Sequence, residues 1–532
     1  MKRLLGIATA ILLSFNMQAQ SVNEGIKLLN YERFESAEKA LTSLAANDAE
    51  ANYYLGLALL GQEKIQEAKA VFQKYPNDFY NQAGMARVLF KEGKKSEAMA
   101  ELNKITDKAK KKEWEKYKVA ADAITYTQGG EVQSAIDWYN KALDRNNDAN
   151  IRLALGDAYL KLKSGGGEAM NNFEKVTELD PNNSLAFSRI GSVWYDAHRY
   201  DLALENYNKA KETDPNNPLP YKELAQAYRS AGKYENSLKN IEEYLAKSDK
   251  SINDQITYAN LLYLAEKYDL ALTKMEDLLS KGVEKPYMYR IIAYSAYETK
   301  DYDKALSNLN IFFKKETNPA NWVKDDYLYG GKIMLAEAQK NEEEAQKYID
   351  SANYYFNTLV TKDSVADKTE LYRDIADNFK DAKEYKSAGV WYGKIIAANE
   401  EASPLDYFYW GYWNFYGEDY KKAEEAFDKM TAKYPDEGSG YFWRARVAAA
   451  QDAEVKTGAA VPYFEKWLNF QNKAEDYVRQ PNDLKLAYQY LAYYYYNQKD
   501  KANSMKWVNK ILEINPEDDW GLSIKKYFDA LK

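Results

Sequence analysis

The stretch LAFSRIGSVWYDAHRYDLALENYNKAKETDPNN, residues 185–217, decides the fold of this 532-residue chain. Its apolar residues recur at helical spacing on either side of a polar turn at 198–200, which predicts two helices joined as a hairpin. Two small residues, Gly191 and Ala203, lie within the predicted helices. They mark the place where the helices approach most closely, because a larger side chain there would push them apart.

The same pattern returns every 34 residues over four successive units. The first small position holds Gly191, Ala225, Ala259 and Ala293, and the second holds Ala203, Ser237, Ala271 and Ala305. A fixed period of this length is typical of a repeat protein in which each unit packs on the next. We expect no unit to be stable alone, because one hairpin buries too few apolar side chains to offset the entropy lost on ordering it.

The pattern resembles the tetratricopeptide repeat family, whose units carry aromatic, small and proline residues at fixed positions. Ile190, Trp194 and Tyr207 fill the space beside the small pair, and Pro215 cannot continue the second helix. The resemblance covers roughly residues 21–532 and is strongest over 150–316. It implies an all-α fold, a right-handed α-solenoid superhelix of about fourteen antiparallel helical hairpins with a C-terminal capping helix. We expect an open spiral and not a closed toroid.

The repeat phase also predicts the organisation of the chain. The predicted segments are a signal peptide at 1–19, repeats one to nine at 20–316, an irregular helical hairpin at 317–370, repeats eleven to fourteen at 371–518, and the capping helix at 519–532. One of the later repeats, at 440–473, is irregular because its turn carries an insertion. Pro462 is expected at the first position of the second helix of that repeat.

The first residues, MKRLLGIATAILLSFNMQAQ, predict export. Two basic residues precede an apolar stretch at 4–15, and Ala19 is the expected residue before the cut. The stretch is too short to span a bilayer, which takes about 20 residues. An uncleaved anchor is the alternative, since Met17 stands where a small residue is usual. The chain has no cysteine, so a lipid-attachment site is absent, and we expect a soluble periplasmic or secreted protein.

Composition argues against several classes of function. The net charge of −8 makes nucleic acid an unsuitable partner, because binding to a phosphate backbone needs a positive surface. With one histidine, His198, and no cysteine, no Cys–His, Ser–His–Asp or zinc set can be assembled. We therefore expect no enzyme, no metal and no cofactor. The enzymatic alternative is a helical toroid that acts on polysaccharides through two carboxylates.

The family resemblance implies that one face of each first helix lines a concave surface. The residues predicted on that face to bind a partner are Lys222, Gln226, Arg229, Asn260, Tyr263, Tyr287, Arg290, Tyr294, Tyr297, Phe408, Tyr412, Phe415, Tyr493 and Tyr496. Some members of the family hold a C-terminal carboxylate with Lys and Asn residues. Only Lys222 matches that clamp here, so we do not expect it. The predicted function is a scaffold or adaptor for a protein or peptide partner at the bacterial cell envelope.

The stretch DYFYWGYWNFY, residues 406–416, contains eight aromatic side chains. The phase set by Gly411 places Tyr407 and Trp410 in the core. The same phase places Phe408, Tyr412 and Phe415 on the concave face. Two interpretations stay open for those concave rings. They are either ordinary repeat residues or a strip of aromatic side chains that binds a glycan.

Overall fold

The computed structural model describes residues 21–110, 112–470 and 479–530. Within these ranges the secondary structure consists of α-helices and one short 3-10 helix, with no strand. The all-α prediction is therefore confirmed. The predicted signal peptide at 1–19 lies outside the described residues. In the described part of the chain, no helix is both long enough and apolar enough to cross a lipid bilayer.

The contacts divide the chain after residue 284 into two compact units. In the first unit the helices are α1 (Val22–Asn30), α2 (Phe34–Leu41), α3 (Ala49–Gly61), α4 (Ile65–Phe72), α5 (Phe79–Lys91), α6 (Lys95–Asp107), α7 (Trp114–Thr125), α8 (Val132–Leu143), α9 (Ala149–Tyr159), α10 (Gly166–Leu179), α11 (Ser184–Asp196), α12 (Tyr200–Thr213), α13 (Leu219–Ser230), α14 (Tyr234–Lys247), α15 (Ile252–Leu264) and α16 (Tyr268–Ser280).

In the second unit a 3-10 turn at Pro319–Asn321 interrupts the series of α-helices. These helices are α17 (Pro286–Glu298), α18 (Tyr302–Lys315), α19 (Lys324–Lys340), α20 (Ala345–Lys362), α21 (Thr369–Asp381), α22 (Tyr385–Ala398), α23 (Pro404–Tyr416), α24 (Tyr420–Lys433), α25 (Gly438–Gln451), α26 (Val461–Leu468), α27 (Pro481–Asn497), α28 (Lys501–Ile514) and α29 (Asp519–Ala530).

Consecutive helices pack in pairs, and short turns make each pair an antiparallel hairpin. We call α1 and α2 hairpin one, α3 and α4 hairpin two, and so on to α27 and α28, hairpin fourteen. The turn inside many hairpins contains one residue with a left-handed backbone. At His198 φ is +58°, and at Gly232 in the next hairpin it is +70°. The single histidine is therefore a turn residue, and its Nδ1 lies 3.0 Å from the Tyr200 hydroxyl.

The small residues lie where the two helices of a hairpin meet, as the sequence predicts. A Cβ atom added at Gly191 would stand 2.6 Å from the Tyr207 ring, and Ala203 is fully buried. A Cβ at Gly411 would likewise stand 2.5 Å from the Phe427 ring. Glycine is needed at these positions because an aromatic ring from the second helix occupies the space of a side chain.

Polar residues explain where several first helices begin. The Ser403 hydroxyl accepts a hydrogen bond from the Asp406 N–H at 3.2 Å, and the Asp406 carboxylate accepts one from the Ser403 N–H at 2.9 Å. This reciprocal pair is a capping box, and it satisfies N–H groups that have no partner inside the helix. Asp48, Asp148 and Ser251 cap other first helices in a simpler way.

The first unit also contains contacts between hairpins far apart in the sequence, which the repeat pattern does not predict. The turn of hairpin one touches two loops that follow hairpins six and seven. The Ser36 N–H donates to Asp249 at 3.0 Å, and Arg33 Nε lies 3.3 Å from the same carboxylate. The Tyr31 hydroxyl donates to Asp214. Hydrogen bonds between residues 183 to 216 positions apart therefore close the first unit on itself.

The two irregular hairpins of the second unit follow the expected pattern only in part. Hairpin ten is long, with 17 residues in α19 and 18 in α20, yet it keeps a close contact of Gly331 with the Phe356 ring. In hairpin thirteen, α26 has only eight residues and contains Pro462 in its first turn. Asp452 holds the inserted loop by accepting the Gly458 N–H at 2.8 Å and the Tyr490 hydroxyl at 2.9 Å.

Helix α29 covers the end of the last hairpin, as expected for a capping helix. Its buried residues are Gly521 and Phe528, and Trp520 and Ile524 pack against the core while partly exposed. Tyr527 on the same helix is 45% exposed.

Candidate functional site

A cleft of about 230 Å³ opens on the inner wall of the first unit, where first helices α13 and α15 stand side by side. Three of the predicted concave residues, Lys222, Gln226 and Arg229, line it from α13. They are spaced four and three residues apart, so they lie along one face of the helix. The other lining residues are Ala225, Ile241, Asp254, Thr257 and Leu261.

Some polar groups of the cleft already interact with neighbouring side chains, and others do not. Lys222 Nζ lies 3.5 Å from the buried Asp254 carboxylate and 5.2 Å from the centre of the Tyr244 ring. The Tyr244 hydroxyl donates to the same carboxylate at 2.9 Å. The side chains of Gln226 and Arg229 are exposed and make no hydrogen bond with the part of the chain that is described. The cleft thus offers one guanidinium and one amide to an incoming group.

Pairing of a basic residue with an aspartate of the next hairpin recurs three times. Lys222 pairs with Asp254, as described above. In the second unit Arg290 Nε lies 2.7 Å from Asp326, and Arg373 Nη2 lies 2.9 Å from Asp406. Each aspartate is at most 8% exposed and stands in the first turn of the next first helix. These basic residues therefore brace adjacent hairpins, a role that the sequence analysis did not recognise.

The remaining predicted residues of the first unit lie beside the cleft and not among its lining residues. Asn260 is half-buried, and its Oδ1 atom is buried with no hydrogen-bond partner. The Tyr263 ring is half-buried, with its centre 5.8 Å from that of Tyr268 in the second helix of the same hairpin.

A buried charge lies next to the cleft on α13. Burial raises the pKa of Glu223 from 4.5 to about 7, although the Arg189 guanidinium favours the ionised form. Arg189 cannot neutralise Glu223 fully, because its Nε already lies 2.7 Å from Asp157. The same Asp157 accepts the Tyr126 hydroxyl at 3.0 Å. Glu223 therefore changes charge near neutral pH, one residue from Lys222.

Two of the predicted concave residues on α17, Tyr294 and Arg290, are not free to bind a partner. Tyr294 is 2% exposed, its hydroxyl donates to Asp326 at 2.6 Å, and its ring stacks on Tyr329 with centres 4.1 Å apart. The sequence placed this ring on an open surface, and that expectation is wrong because α19 covers it. Arg290 is engaged by the same aspartate. Tyr287 and Tyr297 are half-buried.

The aromatic stretch at 406–416 divides between buried and partly exposed rings, and the prediction of Tyr407 and Trp410 in the core is confirmed. Tyr407 and Trp410 are buried. The three wall rings, Phe408, Tyr412 and Phe415, pack on one side chain of the next hairpin, Trp443. Their ring centres lie 6.0, 4.7 and 5.4 Å from that of Trp443. Most of this aromatic surface is therefore used to join hairpins twelve and thirteen.

The two predicted tyrosines of α27 form a stacked pair with ring centres 6.0 Å apart. Tyr496 is further covered by the capping helix, with its ring 4.9 Å from that of Tyr527 and 5.6 Å from that of Phe528. Tyr493 is 39% exposed and is the more accessible of the pair.

Sequence reasoning missed Trp443 and Arg446, which lie on the inner wall of hairpin thirteen. The inserted turn obscured the phase of that hairpin. A signal was present, however, since Ala445 follows Gly411 by the same 34-residue step and is fully buried. The step places Arg446 in the column of Tyr412. Among the described residues, no group of three His, Asp or Glu side chains has an arrangement that could hold a metal ion.

Comparison with known proteins agrees with this geometry. Residues 23–84, which span hairpins one and two and the start of hairpin three, match a family model described as tetratricopeptide repeat. The hairpins with small residues at the helix contact continue through both units. The family match over these residues and the repeated hairpin geometry support a tetratricopeptide repeat protein. Comparison with curated proteins gives no significant match.

Several solved structures are similar to parts of the chain. The C-terminal part of a tetratricopeptide repeat protein from Cytophaga hutchinsonii is 27% identical, covers 51% of this chain and 98% of its own, and gives a TM-score of 0.35. A tetratricopeptide repeat protein from Parabacteroides merdae is 16% identical over 47% of this chain and 92% of its own, with a TM-score of 0.30. YrrB, a tetratricopeptide repeat protein described as having an unusual peptide-binding site, is 15% identical. The match covers 34% of this chain and 93% of YrrB, with a TM-score of 0.31.

Proposed function

We propose that this chain is a non-catalytic scaffold at the bacterial cell envelope and that it docks an extended segment of a partner protein in the cleft between α13 and α15. The observation that carries the proposal is the set of uncommitted polar groups there. Gln226 and Arg229 are exposed on one helix face and make no hydrogen bond with the described residues. The Thr257 hydroxyl on the facing helix already donates to the Asn253 carbonyl at 2.9 Å, so it offers only acceptor capacity. An amide can bind peptide backbone groups, and a guanidinium can bind a carboxylate in two places at once.

The cleft favours a segment with a carboxylate near Arg229. Lys222 adds positive charge, but Asp254 already offsets part of it. Because both walls belong to packed first helices, docking requires little change in the array, and the affinity is set by fit and by the charged contact.

A photo-crosslinking experiment in intact cells tests the proposal. A photoreactive amino acid replaces Gln226 in the full chain, and the matched control carries it at Lys239, exposed on the second helix of the same hairpin. We expect a crosslinked partner only with the probe at position 226, and we expect Arg229→Ala to remove it. Equal crosslinking from both positions, or crosslinking unaffected by Arg229→Ala, would reject the cleft as the docking site.

The envelope location rests on the N-terminal sequence alone. We expect the protein recovered from the periplasm or medium to start at Gln20, and its intact mass measures this directly. Protein found inside the cell with its first 19 residues retained would contradict export. Binding of a glycan is less well supported, because the rings at 408, 412 and 415 pack on Trp443.

A further inference from the structure

Arg446 stands out in the second unit as a cation without a counter-ion on the inner wall. Its guanidinium carbon lies 4.2 Å from the centre of the Trp443 ring and 5.0 Å from that of Phe415. Within the described ranges, its side chain makes no ion pair or hydrogen bond. Two other first-helix arginines of the second unit, Arg290 and Arg373, are each paired with a buried aspartate.

The two aromatic rings hold the guanidinium in place without using its N–H groups. A cation over a ring is attracted to the π-electron face, so the five N–H donors stay available. Trp443 is itself fixed, since it is only 9% exposed and packs on Phe408, Tyr412 and Phe415. A positioned arginine loses less conformational freedom on binding than a flexible one.

Arg446 interacts electrostatically with Asp483, in the first turn of α27. The two side chains are not within ion-pair distance. Burial raises the pKa of Asp483, and Arg446 opposes that rise only in part. Asp483 therefore offsets the positive charge of Arg446 only in part, without forming an ion pair with it, and its negative charge repels a carboxylate that approaches.

We propose that Arg446, on its support of Trp443 and Phe415, binds the carboxylate of an aspartate or glutamate side chain in an extended acidic segment of a partner. A guanidinium presents paired N–H groups that match the two oxygens of a carboxylate. A side chain fits better than a chain terminus because α23 packs beside α25 and extends the surface past Arg446, so a segment can lie across the site without ending there. The site is separate from the cleft of the first unit, so failure of either leaves the other standing.

Two blocked peptides, acetylated and amidated, serve as probes for the full chain. One is Tyr-Glu-Tyr-Glu-Tyr and the other is Tyr-Gln-Tyr-Gln-Tyr, so they differ only in charge. We expect the wild type to bind the glutamate peptide more tightly by about three- to tenfold, the range for a charge-assisted pair that is partly exposed to solvent. A third peptide, the glutamine sequence with a free C-terminal carboxylate, tests a terminal group as the source.

Three variants distinguish binding from structural support. Arg446→Gln removes the charge and should abolish the preference for glutamate. Asp483→Asn removes the repelling carboxylate and should strengthen binding of the glutamate peptide by a few fold, an effect that lost stability would not produce. The matched control is Arg199→Gln, which alters an exposed arginine whose guanidinium carbon lies 6.0 Å from the Trp194 ring in a hairpin turn. It should retain the preference.

The outcomes divide cleanly. Loss of the preference in Arg446→Gln together with tighter binding by Asp483→Asn supports the site. Equal or absent binding of the two blocked peptides by the wild type overturns it, as does a preference that survives Arg446→Gln. Selective, Arg446-dependent binding of the free-acid peptide alone overturns the assignment to a side chain.

Discussion

The Asp249 carboxylate accepts a hydrogen bond from the Ser36 backbone N–H at 3.0 Å, and so caps helix α2 from 213 residues further along the chain. The residue that precedes α2, Arg33, makes no side-chain cap of its own. Asp249 also accepts the Ser36 hydroxyl at 2.5 Å, and these contacts hold its pKa below the ordinary value. One carboxylate thus both starts a helix and closes the first unit.

Removal of that carboxylate should loosen hairpin one. Asp249→Ala deletes the cap, so we expect the opening free energy of α1 and α2 to fall by about 1–2 kcal/mol. Hydrogen exchange of the amides at 22–41 measures the change. Asp107→Ala, at an exposed position at the end of α6, is the control. Unchanged protection at 22–41 would show that the closure contributes nothing to stability.

The Arg290–Asp326 pair should be more costly to break than the surface pairs. Asp326 is fully buried and accepts two hydrogen bonds from Arg290, so Arg290→Ala leaves its carboxylate with only the Tyr294 hydroxyl and the Val323 N–H as donors. We expect a loss of about 3 kcal/mol in the free energy of unfolding of the second unit. Thermal or urea unfolding followed by circular dichroism measures it.

Loss of an exposed ion pair is the control, because it removes a similar charge interaction without leaving a buried carboxylate. Lys422→Ala breaks an ion pair at 3.3 Å whose side chains are 44% and 20% exposed. It should cost less than about 1 kcal/mol. Similar losses for Lys422→Ala and Arg290→Ala would contradict a special role for the buried aspartate.

Glu223 should make the first unit less stable as the solution becomes less acidic. Its pKa is raised from 4.5 to about 7, so the folded chain holds this proton more tightly than the unfolded chain does. The free energy of unfolding therefore falls as pH rises from about 4.5 to about 7. Glu223→Gln should remove this fall and stabilise the unit at pH 8 by on the order of 2 kcal/mol.

Unfolding measured across that pH range checks the sign. Glu212→Gln removes an equal charge from the exposed side of α12 and is the control. A Glu223→Gln variant whose stability follows the wild-type pH profile would show that the carboxyl is not responsible.

The close contact of Gly191 with Tyr207 predicts coupling between the two positions. Gly191→Ala forces a methyl group against the ring, and we expect a loss of about 1–2 kcal/mol despite the better helix propensity of alanine. In the next hairpin the corresponding pair is Ala225 and Ile241, both part of the same core cluster. The double variant Gly191→Ala with Tyr207→Ile copies that pair. It should lose less stability than the sum of the two single changes, and simple additivity would refute the coupling.

The sequence alone determined the helical hairpins and most of their core. Small residues at a 34-residue step identified the contact between the helices of a hairpin, and the same step assigned Tyr407 and Trp410 to the core. These features depend on neighbours within one or two hairpins, so a local period is enough to predict them. The same 34-residue step also leads from Gly411 to the buried Ala445, but the inserted turn made this position hard to recognise.

Only the tertiary structure decided which inner-wall groups are free. Tyr294 is covered by α19, Lys222 and Arg290 are engaged by aspartates of the next hairpin, and Arg446 has no such partner. Ser36 meets Asp249 because small rotations between hairpins accumulate over a whole unit. Such rotations arise from the packing of many side chains together, and no single repeat contains them.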